Sequence, residues 1–166
     1  VSRDDAAERG EASAEQASRA RPRERAIPSS YANLGGVKIL VVDDEPDGRN
    51  VIERLLRDCD ATVTTAGCAG EAMERVVRER PDVLLSDIGM PKEDGYSLMR
   101  RIRRLKDERG RLPAIALTAY ARVEDRVKAM EAGYQLHLAK PIEASTLIAM
   151  VATLSKRERS VVGRPH

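Results

Sequence analysis

From Val37 to Leu154 the sequence repeats one alternation five times: a short apolar run, then a longer stretch with apolar residues spaced i, i+3, i+4, i+7. The short runs are Val37–Val42, Thr62–Thr65, Val83–Leu85, Ala114–Leu117 and Leu136–Ala139. The periodic stretches carry, in turn, Ile52, Leu55, Leu56 and Cys59; Ala69, Ala72, Met73, Val76 and Val77; Leu98, Ile102 and Leu105; Val123, Val127 and Met130; and Leu147, Met150, Val151 and Leu154. Pro46 suits the first turn of the first helix, Pro81 stops the second and Gly133 caps the fourth. Strands alternating with helices predict a parallel sheet with right-handed crossovers. The runs at Ile39–Val42, Val83–Leu85 and Ala114–Leu117 are almost wholly apolar, as strands covered on both faces must be. Thr62–Thr65 is polar at alternate positions and Leu136–Ala139 is short, so these two read as sheet edges. The expected fold class is therefore α/β, a doubly wound five-stranded parallel sheet in the order 2-1-3-4-5 of flavodoxin-type folds.

The rest of the chain is a single-domain frame with tails. Residues 1–34 are rich in Arg, Glu, Ala and Ser and nearly lack large apolar side chains, so they are expected to form a disordered arm or linker. Residues 35–155 form the domain, and residues 156–166 a flexible tail. The first residue is Val, which suits a fragment of a longer chain or an alternative start. Lys and Arg number 29 against 27 Asp and Glu, too balanced to argue for nucleic acid. The 4 tyrosines, with no Trp or Phe, offer no platform for stacking bases. Cys59 and Cys68 lack metal-ligand spacing and read as thiols in a reducing compartment. No apolar run approaches the ~18 residues of a membrane span, and no apolar signal core opens the chain. The expectation is a cytoplasmic protein without a membrane segment.

Four of the five apolar runs end in polar groups. Asp43 and Asp44 end the first, Asp87 the third, Thr118 the fourth and Lys140 the fifth. The carboxyl ends of strands are where open α/β sheets gather their ligands, so these groups are expected to share one mouth. Taken singly, each has a plainer reading: Asp43-Asp44 as a solvated loop leading into a helix, Asp87 as a turn residue, Thr118 as a β-branched strand end, Lys140 as a surface lysine. Together they differ, because three carboxylates at neighbouring strand ends repel unless a cation sits among them. Oxygen ligands with room for water suit Mg²⁺, which can neutralise charge on a phosphoryl group moving to Asp87. Lys140 precedes Pro141, and a cis bond there is one way to aim the lysine inward.

The pieces Ile39-Leu40-Val41-Val42-Asp43-Asp44-Glu45-Pro46, Asp87-Ile88-Gly89-Met90-Pro91, Asp94-Gly95, Leu117-Thr118-Ala119 and Lys140-Pro141, at these separations, resemble the CheY-like response-regulator receiver domain. The resemblance covers about Val37 to Leu154. It implies that Asp87 is phosphorylated by a histidine kinase or histidine phosphotransfer domain. Asp44, Asp87 and the backbone carbonyl of Gly89 would ligate Mg²⁺, with Asp43 acting mostly through water. Thr118 and Lys140 would hold the phosphoryl oxygens. His137 falls where the family usually has a Tyr or Phe switch residue. It is either a flat ring filling that slot or a reporter of Thr118 engagement with some pH sensitivity. Gly89 and Tyr120 occupy positions that tune hydrolysis of the acyl phosphate, Gly89 leaving the attack path open and Tyr120 shielding it. The face made by helix four, strand five and helix five is a candidate homodimer surface.

The implied function is a phosphorylation-dependent module of a two-component system, not an enzyme beyond its own dephosphorylation. The lack of a second folded region predicts no built-in DNA-binding or enzymatic output. The phrase Ala114–Arg122 resembles receivers at the C-terminal end of hybrid histidine kinases, so a detached hybrid-kinase receiver is weighed above a free-standing regulator. Two other classes remain. A non-phosphorylated receiver-like interaction module is disfavoured because every acidic and basic member is present. An aspartyl-phosphate phosphatase of the haloacid dehalogenase type needs Asp-x-Asp after the first strand, where Asp43 is instead followed two residues on by Glu45.

Overall fold

The computed structural model describes residues 32–119 and 122–163, with side chains through Lys156. Among these residues five strands alternate with five helices: β1 (Lys38–Val42), α1 (Pro46–Asp58), β2 (Thr62–Ala66), α2 (Ala69–Glu79), β3 (Val83–Asp87), α3 (Gly95–Arg103), β4 (Ala114–Thr118), α4 (Val123–Ala132), β5 (Leu136–Ala139) and α5 (Ala144–Gly163). A 3₁₀ turn at Glu108–Arg111 leads into β4. All pairings are parallel and the sheet order is β2-β1-β3-β4-β5, with the two runs read as edges, β2 and β5, on the outside as expected. Every residue of β3 and β4 is buried, whereas β5 is half-buried throughout and β2 buries only Val63 and Ala66.

Alternation along the strands supplies two cores. Leu40, Val42, Leu84, Ala114 and Ala116 pack with Ala72 and Val76 of α2, Leu98, Met99 and Ile102 of α3, and Ala129 and Ala132 of α4. The opposite positions, among them Ile39, Val41, Leu85, Ile115 and Leu117, are buried under the face served by Ile52 and Leu56 of α1 and Leu147, Ile148 and Val151 of α5. Each fully buried Leu or Ile contributes roughly 1.5–3 kcal/mol, so the sheet is held from both sides.

The helix ends follow local chemistry. Pro46 sits in the first turn of α1. The Asp94 carboxylate caps α3 by accepting from the Ser97 N–H at 2.9 Å. Gly133 closes α4 at φ 119°, and its N–H donates to the Ala129 and Met130 carbonyls. The guanidinium of Arg103, from α3, donates to the Gly133 carbonyl from Nε at 3.1 Å and to Gly110 from Nη1 at 3.0 Å, joining α3, the 3₁₀ turn and the end of α4.

Four expectations change. Leu34, placed in the arm, is 1% exposed and its N–H donates to the Cys59 carbonyl, so it belongs to the core. A lone apolar residue before Gly35-Gly36 carries no periodicity that could have marked it. Helix α5 continues to Gly163 instead of ending near Ser155, since Lys156-Arg157-Glu158-Arg159 are good helix formers and no Gly or Pro interrupts them. Leu105 lies beyond the end of α3. The stripe Val123, Val127 and Met130 faces solvent, at 74%, 47% and 51% exposure, and α4 turns Ala129 and Ala132 inward instead. Arm residues 1–31, Tyr120 and tail residues 164–166 lie outside the described residues.

Candidate functional site

Strand register builds the site. Val42 of β1 pairs with Ser86 of β3, so Asp43, Asp44 and Asp87 emerge side by side at one sheet edge. Asp87 pairs with Leu117 of β4, which brings Thr118 next in line. Thr118 pairs with Ala139 of β5, and the Lys140 N–H donates to the Thr118 carbonyl at 2.7 Å. The five sequence-predicted residues therefore do converge, each at the last paired position of its strand or within two residues beyond it.

Asp43 is only 1% exposed, and its charge is met by specific partners. Its Oδ1 accepts from the Glu45 N–H at 2.9 Å, and its Oδ2 lies 3.4 Å from Lys140 Nζ. Arg49 of α1 donates from Nη1 to the Asp43 carbonyl at 2.9 Å, which ties the first turns of α1 to the end of β1. A side chain at Gly48 would put a Cβ 3.3 Å from Asp43 Oδ2, so a small residue keeps that flank clear.

Asp87, 7% exposed, lies with Oδ1 3.5 Å from the same Lys140 Nζ. Burial pushes its pKa above the ordinary carboxylate value and Asp43 adds to the rise; Lys140 and the Gly89 N–H work against it. For Lys140, burial favours the neutral amine, but Asp87 and Asp43 outweigh it and hold the ammonium above its usual value. The Lys140-Pro141 bond is cis. One cation thus bridges two carboxylates from different strands.

Asp43, Asp44 and Asp87 each offer a carboxylate oxygen, and the three atoms lie within 4.8 Å of one another. Three carboxylates against one lysine leave an excess of negative charge in a half-sealed mouth. Hard oxygen donors of this kind fit a divalent cation that keeps some of its water, as Mg²⁺ does. Nothing lies within 4 Å of where a Cβ on Gly89 would sit, so the loop beside Asp87 is open on that side.

Thr118 is buried at the end of β4. His137 is paired in register with Ala116, on the edge strand. Its Nε2 is sealed from solvent with no hydrogen-bond partner among the described residues. Burial lowers its pKa, Arg126 lowers it further, and Asp125 opposes them. The position of Tyr120 falls outside the described residues.

Sequence reasoning missed four supporting residues. Ser86 donates from Oγ to the Asp87 carbonyl at 3.1 Å. Gly95 fits so closely that a Cβ there would lie 2.5 Å from the Asp87 carbonyl oxygen and 2.9 Å from Ile88 Cα. Tyr134, fully buried, donates its hydroxyl to the Gly95 carbonyl at 2.8 Å. Arg49, the fourth, holds the end of β1 through the Asp43 carbonyl. Two carried a signal: Gly95 through the Asp94-Gly95 piece of the motif, and Tyr134 because a tyrosine at an otherwise apolar position must find a partner for its hydroxyl.

Comparison with known proteins agrees with this geometry. Residues 39–152 match the family model described as response regulator receiver domain. A 14.6 kDa protein encoded in the sodA1 3′ region of Leptolyngbya boryana, itself uncharacterized, is 48% identical over 71% of this chain and 89% of its own length. The transcriptional regulatory protein PrrA of Mycobacterium tuberculosis is 37% identical over 74% of this chain, which spans only 52% of that regulator. A crystal structure described as a putative response regulator from Chloroflexus aurantiacus superposes with a TM-score of 0.70 at 31% identity, covering 73% of this chain and 98% of the other. With the strand order, the convergent carboxylates and these likenesses in agreement, the chain belongs to the response regulator receiver domain family.

Proposed function

We infer that this chain accepts a phosphoryl group on Asp87 from a phosphohistidine donor and uses the resulting acyl phosphate as a signal. The observation that carries the reading is the bridge of Lys140 to both Asp43 and Asp87, at 3.4 and 3.5 Å, beside a third carboxylate. Receiver domains work with histidine kinases or phosphotransfer partners as non-enzymatic phosphoacceptors, and this chain supplies the groups that role needs.

In the proposed step an Asp87 carboxylate oxygen attacks phosphorus, the P–N bond to the donor imidazole breaks and the acyl phosphate forms. Asp43 and Asp44, with Asp87 and the Gly89 carbonyl, would hold Mg²⁺. When bound, the ion neutralises charge on the entering phosphoryl group. Lys140 exchanges a carboxylate contact for a phosphoryl oxygen, and the Thr118 hydroxyl donates to another. His137, on β5 two positions before the Ala139 that pairs with Thr118, passes the change to the half-buried edge. Gly89 and Tyr120 set how readily water reverses the modification. The exposed Val123, Val127 and Met130 support the α4–β5–α5 face as the surface for a second copy. No helix among the described residues is long and apolar enough to cross a membrane, and the proposed place of work is the cytoplasm.

Intact mass after incubation with acetyl phosphate and Mg²⁺ tests the reading. The wild type is expected to gain one phosphoryl group, and Asp87→Asn and the chelated protein none. A wild type that takes up neither Mg²⁺ nor phosphoryl, from acetyl phosphate or a phosphohistidine donor, refutes the reading in favour of a plain interaction module.

A further inference from the structure

Tyr134 is placed where its role extends beyond filling the core. It follows the Gly133 cap of α4, and its own N–H donates to the Ala129 carbonyl at 3.0 Å. Its ring, 2% exposed, reaches across to the start of α3, where the hydroxyl meets the Gly95 carbonyl at 2.8 Å. Gly95 in turn closes the loop that follows the phosphoacceptor. Its N–H donates to the Ile88 carbonyl at 2.9 Å, the same carbonyl that accepts from Met90 at 3.0 Å. The space a Cβ would need at Gly95 is taken by the Asp87 carbonyl oxygen and Ile88, so only glycine lets α3 start this close to the Asp87 backbone. The Ser86 hydroxyl donates to the Asp87 carbonyl at 3.1 Å. Two buried hydroxyls therefore clamp the Asp87 backbone, one before it and one through Gly95.

We propose that Tyr134 is a positioning residue for the phosphoacceptor: its hydroxyl, through Gly95, fixes the Ile88–Gly95 loop on which the aim of the Asp87 carboxylate and of the Gly89 carbonyl depends. This deepens the receiver reading and rests on it. The same contact ties the loop to the C-terminal end of α4, so the phosphoacceptor is mechanically joined to the helix with the exposed apolar stripe. An apolar residue of equal volume at position 134 would fill the core as well, but would leave the Gly95 carbonyl without this donor.

Tyr134→Phe in the full chain keeps the ring and removes the donor. In metal-free protein the amide resonances of Ile88, Gly89 and Gly95 are expected to move and their hydrogen exchange to quicken. Mg²⁺ titration is expected to show affinity weakened about three- to tenfold, the worth of one buried hydrogen bond, with slower phosphorylation by acetyl phosphate. Tyr96→Phe is the control, because Tyr96 donates to the Asp125 carbonyl at 3.5 Å and not to this loop; its Mg²⁺ affinity should stay at the wild-type value. Should Tyr134→Phe fail to fold, hydrogen exchange of the wild type decides: the Gly95 amide is expected to exchange as slowly as the core strands, and fast exchange there overturns the inference. If Tyr134→Phe binds Mg²⁺ and shows loop amides as in the wild type, whatever its melting temperature, the inference is overturned while the receiver reading stands. A wild type that binds no Mg²⁺ and takes no phosphoryl overturns both.

Discussion

Helices α3 and α4 lie against each other on one face of the sheet, and each carries apolar residues at helical spacing. They use them oppositely. α3 buries Leu98, Met99 and Ile102 completely, whereas α4 turns Val123, Val127 and Met130 to solvent and rests on the methyls of Ala129 and Ala132. The polar ties at its end, Arg103 to Gly133 and Tyr134 to Gly95, supplement that small apolar footing. The difference teaches that α4 costs less to displace than α3, since little apolar area is exposed when it shifts. An element attached in this way is suited to report a change at the sheet edge, and its exposed stripe is available to a partner.

Substitutions can break this contrast. Leu98→Ala, in the fully packed core under α3, should cost about 2–5 kcal/mol of stability in urea unfolding. A loss under 1 kcal/mol would mean that α3 is no better anchored than α4. A smaller effect is expected from acidification. His137 has its folded pKa lowered by burial, so between that value and its unfolded pKa of about 6.5 the unfolded chain binds more protons. Stability from this group is complete above about pH 6.5 and declines as pH falls below it, with a slope of less than one proton. His137→Phe should remove that slope just below about pH 6.5, whereas an unchanged slope would assign it to other groups. Smallest of all, Val127→Ser on the exposed stripe should change stability by less than about 0.5 kcal/mol. A larger loss would show that the stripe is covered in solution, for instance by a second copy.

The sequence disclosed the sheet and the mouth because both are written in local terms. Fully apolar runs mark strands covered on two faces, and each ends in the polar residue that register then brings to the common edge. The direction of α4 was hidden for a physical reason. A spacing of i, i+4, i+7 identifies a stripe but not which way it faces, and here two alanines, Ala129 and Ala132, are the residues turned to the core. Leu34 was hidden because burial of one isolated side chain leaves no period to detect. The clamp of Ser86, Gly95 and Tyr134 was hidden because its members are far apart in sequence and meet only through tertiary packing; Tyr134 and Gly95 are 39 positions apart.

The bridge from Lys140 to Asp43 spans 97 positions, nearly the whole length of the domain. Asp43 leaves the first strand and Lys140 the last, so the charge balance of the mouth exists only when all the intervening units have been added in order. No fragment that stops short of β5 can hold it, because Asp43, Asp44 and Asp87 would then face one another without their lysine. Local opening of the half-buried edge strand has the same effect while the rest of the sheet stays intact. Completion of the fold is therefore itself a condition for signalling, and a truncated or edge-frayed copy is electrostatically mute.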